Sequence, residues 1–199
     1  MSTSKRGAPK AYHHGDLKAA LLQAAAALLD EGGEAAVSVR EVARRTGVTP
    51  TATYRHFENK EAMLAALATQ GFDAFTQAMQ EASTGAPQPF TAMGIAYVRF
   101  AADHPNMFRL MFGPAVADRS RSPELVAAIA RATSVFDQGM QSRSDVTADA
   151  RVAALRAWSL VHGLATLVLD GMLPGQDPEV LARAVLDSKG VVKRNPGAR

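Results

Sequence analysis

A chain of 199 residues with 47% hydrophobic and 21% charged side chains can bury a core of its own and lies outside the disordered range. Cysteine is absent, which excludes a disulfide framework, thiolate metal sites and a cysteine nucleophile; no run approaches the roughly 18 to 20 uninterrupted apolar residues of a membrane span, so a soluble, cytoplasmic protein without membrane contact is expected. The net charge of +3 is unevenly placed: residues 1–60 hold 9 Lys and Arg against 6 Asp and Glu, and the remainder balances at 13 each, the pattern of a nucleic-acid-contacting module on a neutral body, or of a solvated basic tail.

Residues 1–11 are polar, basic and broken by Gly7 and Pro9, so a disordered arm is expected there. Its Lys5, Arg6 and Lys10 suit either a minor-groove or phosphate arm or a solubilising tail. From Asp16, a possible cap, Leu17, Leu21, Leu22, Leu28 and Leu29 recur among alanines, which predicts a first helix ending at Gly32-Gly33.

Ser38 and Glu41 have the spacing of a capping box, in which each side chain serves the other's orphan amide. The short helix they open runs to about Thr46, and Gly47 follows as a stop. Thr49 and Pro50 then restart the chain, threonine as cap and proline at the first helical position, where its missing amide costs nothing. This third helix is expected to end near Phe57, and Asn59 to cap a fourth from Lys60 to about Ser83. Two short helices separated by a glycine turn, with small Ala43 facing the first helix, have helix-turn-helix geometry; a plain helical hairpin is the bland alternative.

On the third helix, packing is expected mainly from Val48 and Phe57. That leaves Pro50, Thr51, Ala52, Tyr54 and His56 to meet a partner, small and hydroxyl side chains at base edges and Tyr54 and His56 at phosphates. Arg40 can reach a base edge or a phosphate, while Lys60 and the amides opening the fourth helix suit the DNA backbone. Thr49 completes this candidate set.

After the break TGAPQPF, helical patterns resume at about Phe90–Asp103, Asn106–Phe112, Ser122–Ser142, Ala148–Asp170 and Pro178–Lys189, with no convincing strand or internal repeat. The chain end, 191–199, reads as frayed.

Residues 16–64 resemble the amino-terminal domain of the TetR family of transcriptional repressors, whose motif runs to Tyr-x-His-Phe-x-x-Lys-x-x-x-Leu; Tyr54, His56, Phe57, Lys60 and Leu64 occupy those places. Thr53 departs from the leucine usual there. Tyr12 to Leu17 is similar to a subset of the family. Trp158 to Gly163, with His104-Pro105 to Phe112, resembles its carboxy-terminal domain of the Trp-His-Gly type. The resemblance implies an all-α protein of about nine helices: a helix-turn-helix domain over 12–60, joined by a long fourth helix to an effector-binding and dimerisation domain over 61–190. It also implies an inducer cavity in that larger domain.

Trp158 and His162 share a helix face. His162 reads either as a ligand contact beside an aromatic wall or as a core histidine bonded to a neighbouring carbonyl, with Gly163 there for close helix contact. Met107, Phe108, Met111 and Phe112, with Phe100 and Tyr97, form a methionine and aromatic cluster between the fifth and sixth helices, which suits a pocket for hydrophobic molecules and an ordinary core alike. The last two helices are apolar on more than one face, and a second subunit is a natural cover; Leu155, Leu160, Leu164, Leu167, Leu181 and Val185 are the expected interface.

The expected partners are double-stranded DNA with a palindromic operator, a second copy of the chain and a small hydrophobic effector. No cofactor or metal is expected: the histidines lack metal-ligand spacing beyond an adjacent pair, and no G-x-S-x-G, phosphate loop or H-E-x-x-H supports catalysis by Ser159 and His162. A DNA-binding architectural or adaptor protein without ligand sensing is the alternative.

Overall fold

The computed structural model describes residues 14–141 and 150–187, with side chains over 17–140 and 151–187. Nine α-helices occur among the described residues, and no strand. Helices α1 (His14–Ala36), α2 (Val39–Thr46) and α3 (Pro50–Tyr54) form the amino-terminal unit. The long α4 (Lys60–Ser83) leads into α5 (Pro89–Asp103), α6 (Pro105–Phe112), α7 (Pro123–Gln141), α8 (Ala150–Leu169) and α9 (Pro178–Asp187). The arm 1–11, the tail 191–199 and the ends of α7, α8 and α9 beyond these bounds lie outside the described residues.

Local chemistry sets most boundaries. The Ser38 hydroxyl accepts from the Glu41 amide at 3.2 Å, and Gly47 closes α2 at φ +70°, a conformation open to glycine at little steric cost. Thr49 caps α3 through the Ala52 amide, and Asn59 caps α4 through the Ala62 amide at 2.8 Å. α1 loses helical geometry at Gly32 and Gly33, the latter at φ +68°.

Three expectations change, and one segment appears for which no expectation was drawn from the sequence. α1 begins at His14, so Asp16 lies inside it rather than capping it; its side chain is outside the described set. Glu41 does not close the capping box, because Arg44 and Arg45 hold its carboxylate. α3 stops at Tyr54, since the amides of His56 and Phe57 both turn back to the Thr53 carbonyl and drive Phe57 into the core. Two short 3-10 turns, Pro114–Val116 and Arg119–Arg121, fill a segment too short and aperiodic to read from the sequence.

α4 is the spine. Its buried Met63, Leu64, Leu67 and Ala68 face the amino-terminal unit, and Phe72, Phe75 and Met79 face the larger domain; each fully buried large side chain stabilises by about 1.5–3 kcal/mol. One apolar core thus runs through both units. Gly71 lets α6 come close, since a β-carbon there would lie 2.7 and 2.8 Å from the sulfurs of Met107 and Met111. A smaller cluster of Ile95, Val98, Leu164 and Ala182 joins α5, α8 and α9.

Candidate nucleic-acid interface and effector cavity

The amino-terminal unit is held by charge as well as by its core. Arg45 of α2 bonds the Glu31 carboxylate of α1 through two nitrogens at 2.6 and 2.7 Å, and Arg44 bonds Glu41 at 2.6 and 2.8 Å. The Glu41 carboxyl is held down to about 2, first by its hydrogen bond from Arg44 and further by Arg45. Two arginines of α2 are therefore structural, and Arg40 on the same helix is left exposed.

Thr49, Pro50, Thr51 and Tyr54 form one exposed surface on α3, with Tyr54 53% exposed and Ala52 and His56 half-buried at its edge. Thr49 spends its hydroxyl as the helix cap. The Lys60 ammonium donates to the Glu34 carbonyl at 2.7 Å, tying α4 to the end of α1; one of its three protons is committed there. Beneath the surface, Val48 and Phe57 pack inward as expected, and so does Thr53, which is fully buried with no partner for its hydroxyl among the described residues.

The larger domain contains a cavity of about 420 Å³ walled by α4, α5, α6, α7 and α8. Phe72, Phe75, Tyr97, Phe112, Phe136 and Trp158 supply its aromatic wall, with Ile129 and Ala132 from α7. Tyr97 meets Phe75 edge-on at 4.8 Å. The Tyr97 hydroxyl accepts from the Trp158 indole at 3.3 Å, and its proton is free to be donated to His162 Nδ1 at 2.8 Å. Burial raises the Tyr97 phenol above its ordinary range and lowers the His162 imidazole, so both groups are neutral in this chain of hydrogen bonds.

Of the expected ligand contacts, Tyr97, Trp158 and His162 line the cavity. Phe100, Met107, Phe108 and Met111 do not. Phe100 backs Phe75 at 5.2 Å, Phe108 stacks behind His162 at 5.6 Å, and the two methionines fill the contact with Gly71. The partner of His162 is the Tyr97 hydroxyl rather than a carbonyl, and the residue is both a wall of the cavity and a member of the packed cluster. Sequence reasoning missed Phe72, Phe75, Met79 and the α7 wall; only their apolar type signalled them. It missed Arg119 and Asp137 too, single charges in surface-like sequence that carry no signal.

The expected interface also divides. Leu164 is buried, and Leu181 and Val185 pack against the small cluster of Ile95, Val98 and Ala182, so these three serve the chain's own core. Leu155 lines the cavity and is also exposed, while Leu160 and Leu167 are 46% and 45% exposed. Between the latter two, Gly163 has no neighbour within 4 Å of a β-carbon position, so it mediates no close contact among the described residues. The stretch Arg151–Leu169 has a mean hydropathy of 1.6, long and apolar enough by length and composition to cross a membrane, with 17% of it buried. Arg156, Ser159 and His162 interrupt the apolar run, which is why it did not stand out in the sequence.

A second recess of about 460 Å³ separates the amino-terminal unit from the start of α7. His56, Phe57 and Glu58 line one side, and Ala115, Val116, Asp118 and Arg121 the other.

Residues 21–67 match the profile of the bacterial regulatory proteins of the tetR family, and residues 90–188 that of a Tetracyclin repressor-like C-terminal domain. A structure of a protein of unknown function from Rhodococcus sp. RHA1 is 32% identical with a TM-score of 0.79, over 90% of this chain and 96% of that one. A tetR-family regulatory protein from Rhodococcus RHA1 is 24% identical with a TM-score of 0.62, covering 85% and 93%. The regulator FadR from Bacillus subtilis, solved with stearoyl-CoA, is 19% identical with a TM-score of 0.64, covering 84% and 95%, and shares the fold. No curated protein matches the chain. With two short helices of a helix-turn-helix packed on α1, a spine into a larger helical domain, and both halves matching, this chain belongs to the TetR family of bacterial transcriptional regulators.

Proposed function

We propose that this regulator is a repressor released from a palindromic operator by a small hydrophobic molecule, acting in the cytoplasm. The observation that carries the reading is the aromatic-walled cavity on the same chain as a helix-turn-helix. Thr51, Ala52 and Pro50 approach base edges, with Thr49 beside them as the helix cap. Tyr54, His56 and Lys60 contact phosphates, and Arg40 reaches the adjoining groove. The FadR structure, which holds stearoyl-CoA, supports an effector with an apolar body.

A second copy covers α8 at Leu160, Gly163 and Leu167 and α9 at Val180, and the two-fold pair spaces its recognition helices about 34–36 Å apart for successive major grooves. The route from cavity to DNA is the segment Pro114–Arg121. Arg119 lines the cavity, while Ala115, Val116, Asp118 and Arg121 face the end of the recognition helix across the recess. An occupied cavity shifts this segment and the α4 spine together and spoils the groove spacing, and a coupling of about 1–3 kcal/mol lowers operator affinity roughly 5- to 150-fold.

Titration of the purified protein against labelled fragments of its own upstream DNA, with competitor present, tests the reading. Tight binding to a palindromic fragment that Tyr54→Ala weakens by at least about tenfold is expected for loss of a phosphate contact and its packing. Weak, salt-sensitive binding to every fragment, indifferent to the substitution, refutes it and leaves the adaptor alternative.

A further inference from the structure

The cavity wall is apolar almost throughout, with one exception that its own packing does not explain. Arg119, on the second 3-10 turn, lines it, and its Nε is buried with no hydrogen-bond partner among the described residues. A guanidinium N–H taken out of water and left without an acceptor is costly, more so than a neutral donor. The neighbouring cavity carboxylate, Asp137, makes no ion pair with it among the described residues and is exposed, whereas Arg119 is half-buried. Asp137 is thus screened by water, and the arginine is the charge whose field reaches into the apolar space.

We propose that the effector is an amphipathic anion, its apolar body against Phe72, Phe75 and Phe136 and its anionic group on the Arg119 guanidinium. This rests on the larger domain being a sensing cavity and adds the charge class of what it senses. A planar guanidinium pairs bidentately with carboxylate or phosphate oxygens, and a free carboxylate or a phosphate-bearing acyl carrier would both supply that chemistry. A neutral hydroxyl would offer Arg119 only an uncharged acceptor, and a cationic amphiphile would offer none. The ligand anion also sits on the segment that faces the recognition helix, so the residue reading the charge is placed on the connection to DNA.

The chain has one tryptophan, Trp158, and it lines this cavity, so its fluorescence reports occupancy with no DNA in the assay. Decanoate, decanoyl-CoA, 1-decanol and decylamine, each titrated below its aggregation limit, share one apolar body with different head groups. At least one of the two anions is expected to bind about tenfold or more tighter than decanol and decylamine, the size of a charge-assisted hydrogen bond; decanoate alone marks a free carboxylate, and decanoyl-CoA alone a phosphate-bearing carrier. Arg119→Met abolishes that advantage and leaves decanol affinity equal or higher, since the guanidinium no longer has to be desolvated. Arg119→Lys retains part of it, which separates lost charge from lost fold, and Asp137→Asn leaves it equal or larger. Tightest binding by decylamine, equal binding of anion and alcohol, an advantage that survives Arg119→Met, or no quenching by any probe overturns the proposal. Equal binding by all head groups would still leave a sensing cavity, and operator binding by the Tyr54 comparison stands or falls separately.

Discussion

Thr53 offers a test of how well the recognition helix is backed. Its side chain is 0% exposed, its hydroxyl has no partner among the described residues, and its amide bonds the Thr49 carbonyl at 3.3 Å. Five helical threonines, Thr46, Thr69, Thr76, Thr133 and Thr166, return their hydroxyls to the carbonyl four residues back, at 2.7 to 2.9 Å. Thr53 does not, and its hydroxyl is buried, because α3 is a single turn packed flat on the core. Thr53→Val replaces the hydroxyl with a methyl of nearly the same volume. An unsatisfied buried hydroxyl costs about 1–3 kcal/mol and the two residues have similar helix propensities, so a stabilisation of about 1–2 kcal/mol is expected. For a chain of this size that raises Tm by about 2–8 °C. Thermal unfolding at one fixed protein concentration, since association also shifts Tm, measures it. The exposed face of α3 is untouched, so operator affinity should stay within about twofold, a difference of roughly 0.4 kcal/mol. An unchanged or lower Tm refutes the reasoning, because it means the hydroxyl is satisfied.

Leu160→Glu combined with Leu167→Glu is expected to convert a dimer to a monomer at micromolar concentration, because unpaired charges in a covered apolar face cost several kcal/mol; sedimentation velocity reads the result, and a persistent dimer moves the interface off this face of α8. The His162 imidazole has its pKa lowered by burial, so the unfolded chain takes up the proton first and stability falls as pH drops below about 6.5. His162→Asn should flatten that fall in urea unfolding between about pH 7 and 5, and an equal fall in both proteins assigns it elsewhere. Glu41 is held down to about 2 from the ordinary 4.5, so its contribution is whole above about 4.5 and lost as pH falls toward 2; Glu41→Gln should be less sensitive over that window, and identical acid profiles contradict the role of the Arg44 and Arg45 pairs.

The helix-turn-helix was legible in the sequence because its boundaries depend on neighbours in the chain. Ser38, Gly47, Thr49-Pro50 and Asn59 act through hydrogen bonds three or four residues long or through their own φ, and α2 and α4 fall where those residues put them. The end of α3 was not legible, since Phe57 leaves the helix for a core built by α1 and α4. Helix existence in the larger domain was readable from periodicity, but the destination of each apolar face was not. Leu164 and Leu167 look alike in sequence, yet one meets Ile95 and Val98 within the chain and the other is left open. Met107 and Met111 could have walled a cavity, and Gly71 on a distant helix took them as packing partners instead. Local bonds and backbone preference were thus determined by sequence alone. The cavity, the hydrogen bonds that join His162 and Trp158 through the Tyr97 hydroxyl, and the Arg119 Nε left without a partner among the described residues were decided only by tertiary structure, because each depends on helices far apart in the chain meeting on particular faces.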